Sequence, residues 1–466
     1  MEGKSLSKEN IVIIGSGPGG YVGAIRASQL GAEVTVIEKD AIGGACLNHG
    51  CIPTKAILAS AELFTSIKEA EDFGIYVGEV RADLGNIMER KSRVVEGLGN
   101  GIHGIFKKRG IGFIKGTATL ISPTRIRVES PSGAEEINAT KVVIATGSKP
   151  AMLPFLYPEQ PAVLTSTEAL TLDRLPKSVL IIGGGAIGLE FASFFNALGV
   201  KVTLVEMMDQ ILPREDKRIS RQMTQILRKR GIKILVKTGV KDVLSYRDEG
   251  ITCLLDNGDE IAGEKLLVSI GRSPNSKGIG LEHLGVKLDE RGNILVDDRM
   301  ETNIKGVYAV GDVTGGILLA HVASAEGIAA VENALGIDSK IDYSVIPSCV
   351  YTSPEIASVG LTADEARASG VEVKTGWFPF SASGKAMAMG QAVGSVQLVV
   401  EKGTEKIVGG QIIGPLATEL IHEIALAIKL GITAKELSAT IHAHPTLFES
   451  VMEAAHSVYG KAIHVF

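Results

Sequence analysis

Two copies of one glycine-rich pattern constrain the fold of this 466-residue chain more than any other feature. Each copy has a short apolar run, a glycine triplet, a helical stretch and a second apolar run that ends in an acid. The first copy contains Gly15, Gly17, Gly20 and Glu38, and the second contains Gly183, Gly185, Gly188 and Glu206. The first glycine and the acid are 23 positions apart in both copies. The repeat predicts two parallel strand–helix–strand units in one α/β protein.

The spacing has a physical reason in dinucleotide binding. Glycines permit a tight turn after the strand and let the backbone approach a pyrophosphate at the helix N-terminus. The acid that ends the second strand can hydrogen-bond a ribose hydroxyl. A lone glycine motif is weak, but the flanking strand, helix and acid make each copy specific. Two such sites predict two cofactors that pass electrons between them.

The acid of the second copy also predicts which pyridine nucleotide is bound. A carboxylate accepts a hydrogen bond from a ribose 2′-hydroxyl and repels a 2′-phosphate, whereas NADP sites carry an arginine nearby. The residues that follow Glu206 are Met-Met-Asp-Gln and offer no arginine. We therefore expect NAD.

Two of the four cysteines, Cys46 and Cys51, follow the first copy, and Lys55 comes one helical turn later. A regular helix would separate the two cysteines by about 7.5 Å along its axis, more than the roughly 6.8 Å that a disulfide allows between Cα atoms. If they bond, the backbone between them is irregular, and Asn48-His49-Gly50 supplies suitable residues, with Pro53 at the first position of the next helix. The spacing alone fits equally well two cysteines that pack as small hydrophobic residues.

Residues 442–449 contain a candidate base. His444 precedes a proline, which predicts extended backbone at His444, a helix beginning at Pro445, and Glu449 in its second turn. A carboxylate on one ring nitrogen would fix the tautomer and make the other nitrogen a better base. The alternatives are a histidine at a helix cap beside an unrelated acid, or a metal site with His442, His456 or His464. The metal is the less favoured of these because no cluster with ligand spacing accompanies them.

The composition argues against several other classes of protein. A net charge of −5 without a long basic run disfavours a nucleic-acid binder. Four cysteines in this length cannot form a disulfide scaffold, so any bridge is expected to be catalytic. Residues 1–10 show no signal-peptide pattern, and no apolar run reaches membrane-spanning length. We expect a cytoplasmic protein that binds neither nucleic acid nor membrane.

The glycine motifs, the segment Cys46–Lys55, Gly311-Asp312 and the His444-Pro-Thr-x-x-Glu449 pattern together resemble the pyridine nucleotide-disulfide oxidoreductases. The resemblance covers essentially the whole chain. It implies an α/β fold with two dinucleotide-binding, Rossmann-like domains and a C-terminal α+β dimerisation domain. The expected boundaries are 1–150 for an FAD domain with the redox disulfide, 151–275 for an NAD domain, 276–345 for a central FAD-contacting domain and 346–466 for the dimer interface.

The resemblance also implies roles for individual residues. Cys46 would exchange with substrate and Cys51 would lie beside the flavin, where Lys55 pairs with Glu190. His444 and Glu449 would act as a base pair on the disulfide of the other subunit in a homodimer. FAD contacts are implied for Gly15, Gly17, Gly20, Glu38, Lys55, Gly116, Gly147, Asp312 and Ala320. Glu190 belongs to the implied cofactor site through its pairing with Lys55. NAD contacts are implied for Gly183, Gly185, Gly188, Glu206, Val240 and Gly271, and no metal is implied.

Taken by itself, Asp312 ends an apolar strand and could hold the polyhydroxyl chain of a flavin or simply cap a helix. The reaction implied by the resemblance is oxidation of a dihydrolipoyl group with reduction of NAD⁺. The group would be carried by an acyltransferase or carrier protein of a 2-oxo acid dehydrogenase complex. The alternatives are an NAD(P)H-dependent disulfide reductase of the glutathione reductase type, or a non-catalytic flavin-binding scaffold. The scaffold is disfavoured because both cysteines, the histidine and the glutamate are present.

Overall fold

The computed structural model describes residues 9–157, 159–247 and 250–465. They form two compact units, each assembled from separate stretches of the chain. The first unit comprises the residues up to Ile57 together with 85–151 and 271–342. The second comprises 58–84, 152–270 and the residues from Tyr343 onward.

The first unit is built on a sheet of five parallel strands. Asn10–Ile14 lies at its centre and pairs with Glu33–Glu38 on one side and Lys141–Ile144 on the other. Gly112–Lys115 and Val307–Ala309 complete the edges. Ile11, Val12 and Ile13 are fully buried, because strands of a parallel sheet are covered on both faces. Strand Lys141–Ile144 returns the chain to this sheet.

Helices cover this sheet and form the connections along the chain. Helix Pro18–Gln29 packs against helix Ala320–Ala334, and glycines allow the close approach: a Cβ atom on Gly23 would lie 3.0 Å from the carbonyl oxygen of Gly327. The first unit also holds helix Gly44–His49, the start of helix Cys51–Lys68 and nearly all of helix Leu84–Arg109. The rest of helix Cys51–Lys68 and the 3₁₀ turn Ala70–Phe73 belong to the second unit. The stretch 271–342 adds helix Leu281–Leu284 and the 3₁₀ turn Gly311–Thr314.

The first unit also holds two small antiparallel sheets. One consists of Thr117–Ser122, Arg125–Ser130 and Gly133–Asn138. The other pairs Ser148–Pro150 with Arg272–Pro274. Strand Ser148–Pro150 follows shortly after the end of the parallel strand Lys141–Ile144. This second small sheet therefore lies at the carboxyl ends of the parallel strands, where α/β sheets bind ligands.

The second unit repeats the parallel architecture and adds an antiparallel sheet. Its five parallel strands, in spatial order, are Lys233–Leu235, Lys201–Val205, Ser178–Ile182, Lys265–Val268 and Val163–Leu164. A three-stranded antiparallel sheet contains Val240–Arg247, Gly250–Leu255 and Glu260–Gly263. The helices of its stretch 152–270 are Ser166–Ala169, Ala186–Ala197 and Lys217–Lys229.

The stretch from residue 343 onward folds around a five-stranded antiparallel sheet. Its strands, in spatial order, are Ser348–Val350, Glu355–Gly360, Ile407–Gly414, Ser395–Glu401 and Val373–Pro379. The helices are Ala363–Ala368, Gly384–Ala388, Ala417–Leu430, Ala434–Ala439 and Glu449–Ser457, with the 3₁₀ turn Phe380–Ala382. Helix Ala417–Leu430 packs its apolar face on this sheet. Two Rossmann-like folds followed by an antiparallel α+β region confirm the predicted fold class.

None of the helices among the described residues is both long enough and apolar enough to cross a bilayer.

Candidate active site

The first glycine loop and its acid are held together by hydrogen bonds. The carboxylate of Glu38 accepts from the backbone amide of Ser16 at 2.8 Å and from the hydroxyl of Ser16 at 2.7 Å. Its second oxygen accepts from the amide of Asp40 at 2.9 Å. Glu38 is only 7% exposed, so these bonds satisfy a carboxylate that would be costly to bury alone. They fix the acid at the end of its strand.

The same serine connects the glycine loop to the cysteine segment. The hydroxyl oxygen of Ser16 accepts from the amide of Gly43 at 3.1 Å. The next residue, Gly44, packs so closely that a Cβ atom on it would lie 2.6 Å from the Cα atom of Gly17. Asn48 then donates to the carbonyl oxygens of Ile42 and Gly44, both at 3.0 Å. The start of the segment that carries the cysteines therefore packs directly against the first glycine loop.

The backbone between the cysteines is interrupted at one residue. Helix Gly44–His49 ends at Gly50, with φ −142° and ψ −113°, and a new helix begins at Cys51. The predicted irregularity is therefore present but confined to Gly50, and Asn48 and His49 are helical. The prediction that Pro53 opens the second helix is wrong by two residues. A Cβ atom at Gly50 would lie 2.9 Å from the carbonyl oxygen of Ala45, which gives a steric reason for glycine at the break.

The break brings the two sulfur-bearing side chains into contact. The side chains of Cys46 and Cys51 share a hydrogen bond, which is the largest of the effects that raise the pKa of Cys46. Burial and the nearby Cys51 charge raise it further, and Lys55 acts in the opposite direction. A neighbouring like charge disfavours a second ionisation. In the dithiol form, Cys46 therefore retains its proton.

Asp312 lies in the 3₁₀ turn that follows the edge strand of the first sheet. Its carboxylate accepts a hydrogen bond from the hydroxyl of Ser148 and lies 3.4 Å from the guanidinium of Arg272. The same guanidinium donates to the hydroxyl and the carbonyl oxygen of Ser148, at 2.6 and 2.8 Å. Asp312 is therefore held by side-chain partners rather than serving only as a cap.

The other residues assigned to FAD surround the same end of the sheet. Gly17 is the N-cap of helix Pro18–Gln29 and has no side chain to occupy the helix amides. A Cβ atom on Gly17 or Gly147 would meet nothing within 4 Å. Gly116 donates its amide to the carbonyl oxygen of Glu38, and Ala320 is the first residue of its helix. Open space at a helix N-terminus that has no capping side chain fits a pyrophosphate, so these residues fit FAD.

The second glycine loop reproduces the first in its own unit. The carboxylate of Glu206 accepts from the amides of Gly184 at 2.7 Å and Met208 at 2.8 Å. These amides correspond to those of Ser16 and Asp40 in the first copy. Gly185 caps helix Ala186–Ala197, and open space surrounds a Cβ atom placed there. The loop fits a second dinucleotide.

Two further residues are assigned to NAD, and each lies at or beside the start of a strand. Val240 begins its antiparallel strand, and Gly271, with φ +127°, immediately precedes strand Arg272–Pro274. Glu190 is buried in helix Ala186–Ala197 and accepts from the amide of Tyr351 at 3.1 Å. Lys55 lies in helix Cys51–Lys68. The Lys55–Glu190 pair joins residues of different units and stays a prediction.

The histidine and glutamate near residue 445 are in contact. Nδ1 of His444 lies 2.9 Å from a carboxylate oxygen of Glu449, and the other oxygen accepts from the amide of Thr446 at 2.9 Å. The predicted helix start at Pro445 is wrong, because the helix begins at Glu449. Instead, the Thr446 hydroxyl donates to the carbonyl oxygen of Ala443 and closes a turn. Glu449 is thus the first helical residue rather than a second-turn residue.

This arrangement leaves one nitrogen of His444 available to solvent. The His444 side chain is 78% exposed, and Nδ1 is directed to Glu449. Burial acts to raise the pKa of Glu449, but the Thr446 amide, the hydrogen bond from His444 and the charges of His444 and His464 bring it below its ordinary value. A carboxylate that stays ionised can hold the Nδ1 proton and leave Nε2 as a base.

The other histidines near this pair have separate partners. His442 is nearly buried, with Nδ1 2.8 Å from the carbonyl oxygen of Thr440 and Nε2 2.9 Å from Glu423. His464 contacts Glu453. Within the described ranges, no group of three or more His, Cys, Asp or Glu side chains is arranged to hold a metal ion. The contact between His444 and Glu449 is the one that the base interpretation requires.

Three residues of the site were missed by the sequence reasoning. Ser16 ties the glycine loop to Glu38 and Gly43, while Ser148 and Arg272 hold Asp312. Ser16 is the variable position of the glycine motif, so its spacing carries no signal. Ser148 and Arg272 each follow a glycine that was singled out, Gly147 and Gly271, and that adjacency was the available signal.

The chain combines two dinucleotide-type loops with a cysteine pair beside the first loop and a histidine–glutamate pair. These features define a flavin- and nicotinamide-type disulfide oxidoreductase. Comparison with known proteins agrees with this class. Residues 9–327 match the family described as pyridine nucleotide-disulphide oxidoreductase, and residues 346–455 match its dimerisation domain. The chain belongs to the pyridine nucleotide-disulphide oxidoreductase family. The family uses FAD and a pyridine nucleotide, and the dimerisation domain implies a homodimer.

The similarity to individual members extends over the full length. The chain is 44% identical to the dihydrolipoyl dehydrogenase of Bacillus subtilis (strain 168), over 98% of this chain and 99% of that protein. It is 42% identical to the mitochondrial dihydrolipoyl dehydrogenase of Pisum sativum, over 99% of this chain and 94% of that protein. The crystal structure of LpdA from Mycobacterium tuberculosis is similar, with a TM-score of 0.90 and 32% identity, over 96% of this chain and 99% of that one.

Proposed function

We propose that this protein oxidises a dihydrolipoyl group to the lipoyl disulfide and reduces NAD⁺, as a dihydrolipoyl dehydrogenase does. The observation that carries the proposal is the full-length identity of 42–44% to dihydrolipoyl dehydrogenases of two very different organisms. The contact between Cys46 and Cys51 supports it, because a dithiol substrate needs a disulfide with which to exchange. The net reaction converts dihydrolipoamide and NAD⁺ into lipoamide, NADH and a proton.

The proposed chemistry begins with proton transfer to His444. Nε2 of His444 takes a proton from one substrate thiol while Glu449 holds the ring through Nδ1. The thiolate attacks the sulfur of Cys46, forms a mixed disulfide and releases Cys51 as a thiolate. The second substrate thiol then gives up its proton and attacks the first substrate sulfur of the mixed disulfide, and the displaced Cys46 takes up that proton. Lipoamide leaves, and the protein retains the two electrons as the Cys46–Cys51 dithiol.

We assign Cys51 to the electron-transfer side of the pair. The raised pKa of Cys46 favours the dithiol form in which Cys46 keeps its proton. Cys51 begins a helix, where the helix dipole favours an anion. When bound, FAD and NAD⁺ supply the two-electron chemistry that restores the disulfide and yields NADH. The first glycine loop with Glu38, Lys55, Gly116, Gly147, Asp312 and Ala320 would hold FAD.

The second loop would hold NAD rather than NADP. The residues assigned to it, besides Glu206, are Gly183, Gly185, Gly188, Val240 and Gly271. Glu206 is 6% exposed, and its carboxylate accepts hydrogen bonds from two backbone amides. A 2′-phosphate would be repelled by this fixed charge, whereas a 2′-hydroxyl can donate to it. We therefore expect NAD⁺ to be preferred over NADP⁺.

The proposal extends to partners and location. The expected partners are lipoyl-bearing acyltransferase or carrier proteins of 2-oxo acid dehydrogenase complexes, with the cytoplasm as the expected compartment. The base of one subunit would serve the cysteine pair of the other, in a homodimer formed through residues 346–466. The domain boundaries expected from the sequence, at 150, 275 and 345, are part of this proposal.

The deciding experiment is an anaerobic assay of the flavin-loaded dimer. Dihydrolipoamide with NAD⁺ is compared with glutathione disulfide with NADPH, and the first pair should be used far better. Cys46→Ser should abolish dihydrolipoamide oxidation while the protein keeps its flavin. A preference for the second pair would support a glutathione reductase-like enzyme instead. Flavin binding without turnover of either pair would support the non-catalytic scaffold.

A further inference from the structure

The segment 441–445, which presents His444, is attached to a neighbouring helix by one inward side chain. Within this segment every residue except His442 is exposed. The side chain of His442 is 6% exposed, whereas that of His444 is 78% exposed. The neighbouring helix is Ala417–Leu430, which supplies Glu423 as the partner of the His442 ring. The buried ring therefore ties an otherwise exposed segment to this helix.

Both nitrogens of the His442 ring face oxygen atoms. Nδ1 lies 2.8 Å from the carbonyl oxygen of Thr440, and Nε2 lies 2.9 Å from a carboxylate oxygen of Glu423. A carbonyl oxygen can only accept, so Nδ1 carries a hydrogen. The contact at Nε2 then needs a proton that either the ring or the carboxyl group holds. When the ring holds it, the hydrogen bond is charge-assisted and roughly twice as strong as a neutral one.

Glu423 depends on the same contact. Its side chain is 24% exposed, but its second oxygen is buried and accepts no hydrogen bond from any residue that the structure describes. A buried polar atom without a partner is costly, so the bond between Glu423 and His442 is hard to give up. Loss of either partner would leave the other without its hydrogen bond at this contact.

The contact is connected to the base through a short run of backbone. His444 follows His442 by two residues, and the carbonyl oxygen of Ala443 between them accepts from the Thr446 hydroxyl at 2.8 Å. The Thr446 amide donates to Glu449 at 2.9 Å, and the other oxygen of that carboxylate contacts Nδ1 of His444. The backbone that carries His444 is therefore held on one side by His442 and on the other by the turn that leads to Glu449.

We infer that His442 and Glu423 are positioning residues for the His444 base. Their hydrogen bond ties the segment 441–445 to helix Ala417–Leu430 and so fixes where Nε2 of His444 lies. The inference rests on the proposed role of His444 in the reaction. Neither residue needs to touch the substrate, because the effect passes through the backbone of the segment.

Substitutions at His442 separate its two hydrogen bonds. His442→Gln can keep the bond to Glu423, whereas the shorter His442→Asn can keep only the bond to Thr440. In oxidation of dihydrolipoamide by the flavin-loaded dimer, His442→Asn should lower kcat by about tenfold, because a misplaced catalytic group loses rate steeply. His442→Gln should retain most of the rate. His422→Gln changes an exposed histidine beside Glu423 and is the matched control, with no expected change.

A second reaction shows whether the effect is specific to the base. Electron transfer from NADH to ferricyanide needs the bound flavin and nucleotide but takes no proton from a dithiol. The rate of this reaction should be the same in wild type, His442→Asn and His442→Gln. A parallel loss of both reactions in His442→Asn would indicate a general structural defect and would contradict the positioning role.

Substitutions at Glu423 repeat the test from the other partner. Glu423→Gln keeps a group that can hydrogen-bond the ring, whereas Glu423→Leu does not. Only Glu423→Leu should lose dihydrolipoamide oxidation, and these two variants decide the inference if a His442 variant fails to bind flavin or to dimerise. Wild-type rates in both His442→Asn and Glu423→Leu would overturn the inference, as would an equal loss in His442→Gln and His442→Asn.

Failure of the proposed function is separable from failure of the inference. Wild-type protein that does not oxidise dihydrolipoamide would contradict the function alone. The tautomer of the His444 ring, followed by carbon-13 NMR of labelled histidine, then decides the inference without any turnover. Wild type should carry the hydrogen mainly on Nδ1, the nitrogen that contacts Glu449, and His442→Asn should show more of the other tautomer. Identical His444 signals in the two proteins would refute the positioning role.

Discussion

At the scale of single residues, the site depends on carboxylates that are held by hydrogen bonds. Glu38 and Glu206 fix the two glycine loops, Asp312 is held by Ser148 and Arg272, and Glu449 orients His444. Each acid has donors that keep its oxygens in place. Such preorganisation allows a side chain to meet a ligand without losing further conformational entropy.

The role of His444 predicts a selective loss of activity. His444→Gln removes the ring that accepts the substrate proton, so dihydrolipoamide oxidation should fall by about 10² or more. Flavin content should not change, since the FAD residues lie elsewhere in the chain. Steady-state rates and the visible absorption spectrum check both points. Glu449→Gln should also lose activity, because an amide facing Nδ1 favours the wrong tautomer. Wild-type rates in either variant would exclude this pair as the base.

The lowered pKa of Glu449 predicts a pH-dependent contribution to stability. A carboxyl whose pKa is depressed by folding stabilises the protein above its unfolded pKa, and that contribution is lost as pH falls through the folded pKa. The difference in thermal midpoint between wild type and Glu449→Gln should therefore shrink as pH falls below about 4, near the ordinary pKa of glutamate.

Glu355 provides a control of opposite sign. Burial raises its pKa, against the effect of the hydrogen bonds from Thr418. The contribution of a raised carboxyl is present below its unfolded pKa and is lost as pH rises through the folded pKa. The difference between wild type and Glu355→Gln should thus decrease with rising pH. Parallel trends for the two variants would contradict the assignment of these shifts.

At the scale of elements, the interrupted helix from Gly44 to Lys68 is the feature that brings the two cysteines together. A continuous helix would separate Cys46 and Cys51 along its axis, and the interruption at Gly50 lets their side chains meet. The Ser16 hydroxyl and the contact of Gly44 with Gly17 fix the start of this element on the glycine loop. The redox pair and the dinucleotide turn are therefore one structural unit.

Gly50→Ala tests whether the interruption at Gly50 is needed. The added methyl would lie 2.9 Å from the carbonyl oxygen of Ala45, so the backbone must shift, at a cost of about 1–3 kcal/mol. Thermal stability should decrease, and exchange with dihydrolipoamide should slow because the sulfurs move apart. The matched control is Gly97→Ala, inside helix Leu84–Arg109, where a Cβ atom meets nothing within 4 Å. At Gly97, alanine should raise the free energy of unfolding by about 0.5–1 kcal/mol. Equal responses at the two glycines would refute the steric argument.

The elements also show how far sequence reasoning reaches. Helix Ala417–Leu430 and the strands beside the glycine loops follow from apolar periodicity, which is a local property. The start of the helix at Glu449 was mispredicted because a turn closed by Thr446 replaced the expected proline-started helix. Ser148 contacts Asp312 across 164 positions of the chain, and Arg272 contacts it across 40. Contacts of that range depend on the folded sheet, and residue spacing does not encode them.

At the scale of the whole molecule, the dimer is a functional requirement of the proposed mechanism. Residues 346–455 match a dimerisation domain and include both His444 and Glu449. The cysteine pair lies far earlier in the chain, on the first dinucleotide fold. A two-fold dimer places the same surface of each subunit against the other. If each base serves the partner's cysteines, one dimer contains two shared sites.

Shared sites predict complementation between two inactive variants. A heterodimer of one Cys46→Ser subunit and one His444→Gln subunit keeps one intact site, formed by Cys46 of the second and His444 of the first. Its activity should be about half that of wild type, since one of two sites is whole. Two different affinity tags isolate this heterodimer, and each parent homodimer, carried through the same purification, supplies the background rate. A heterodimer no more active than its parents would show that His444 serves the cysteines of its own subunit. The proposed reaction would then need a base brought to the disulfide within one chain.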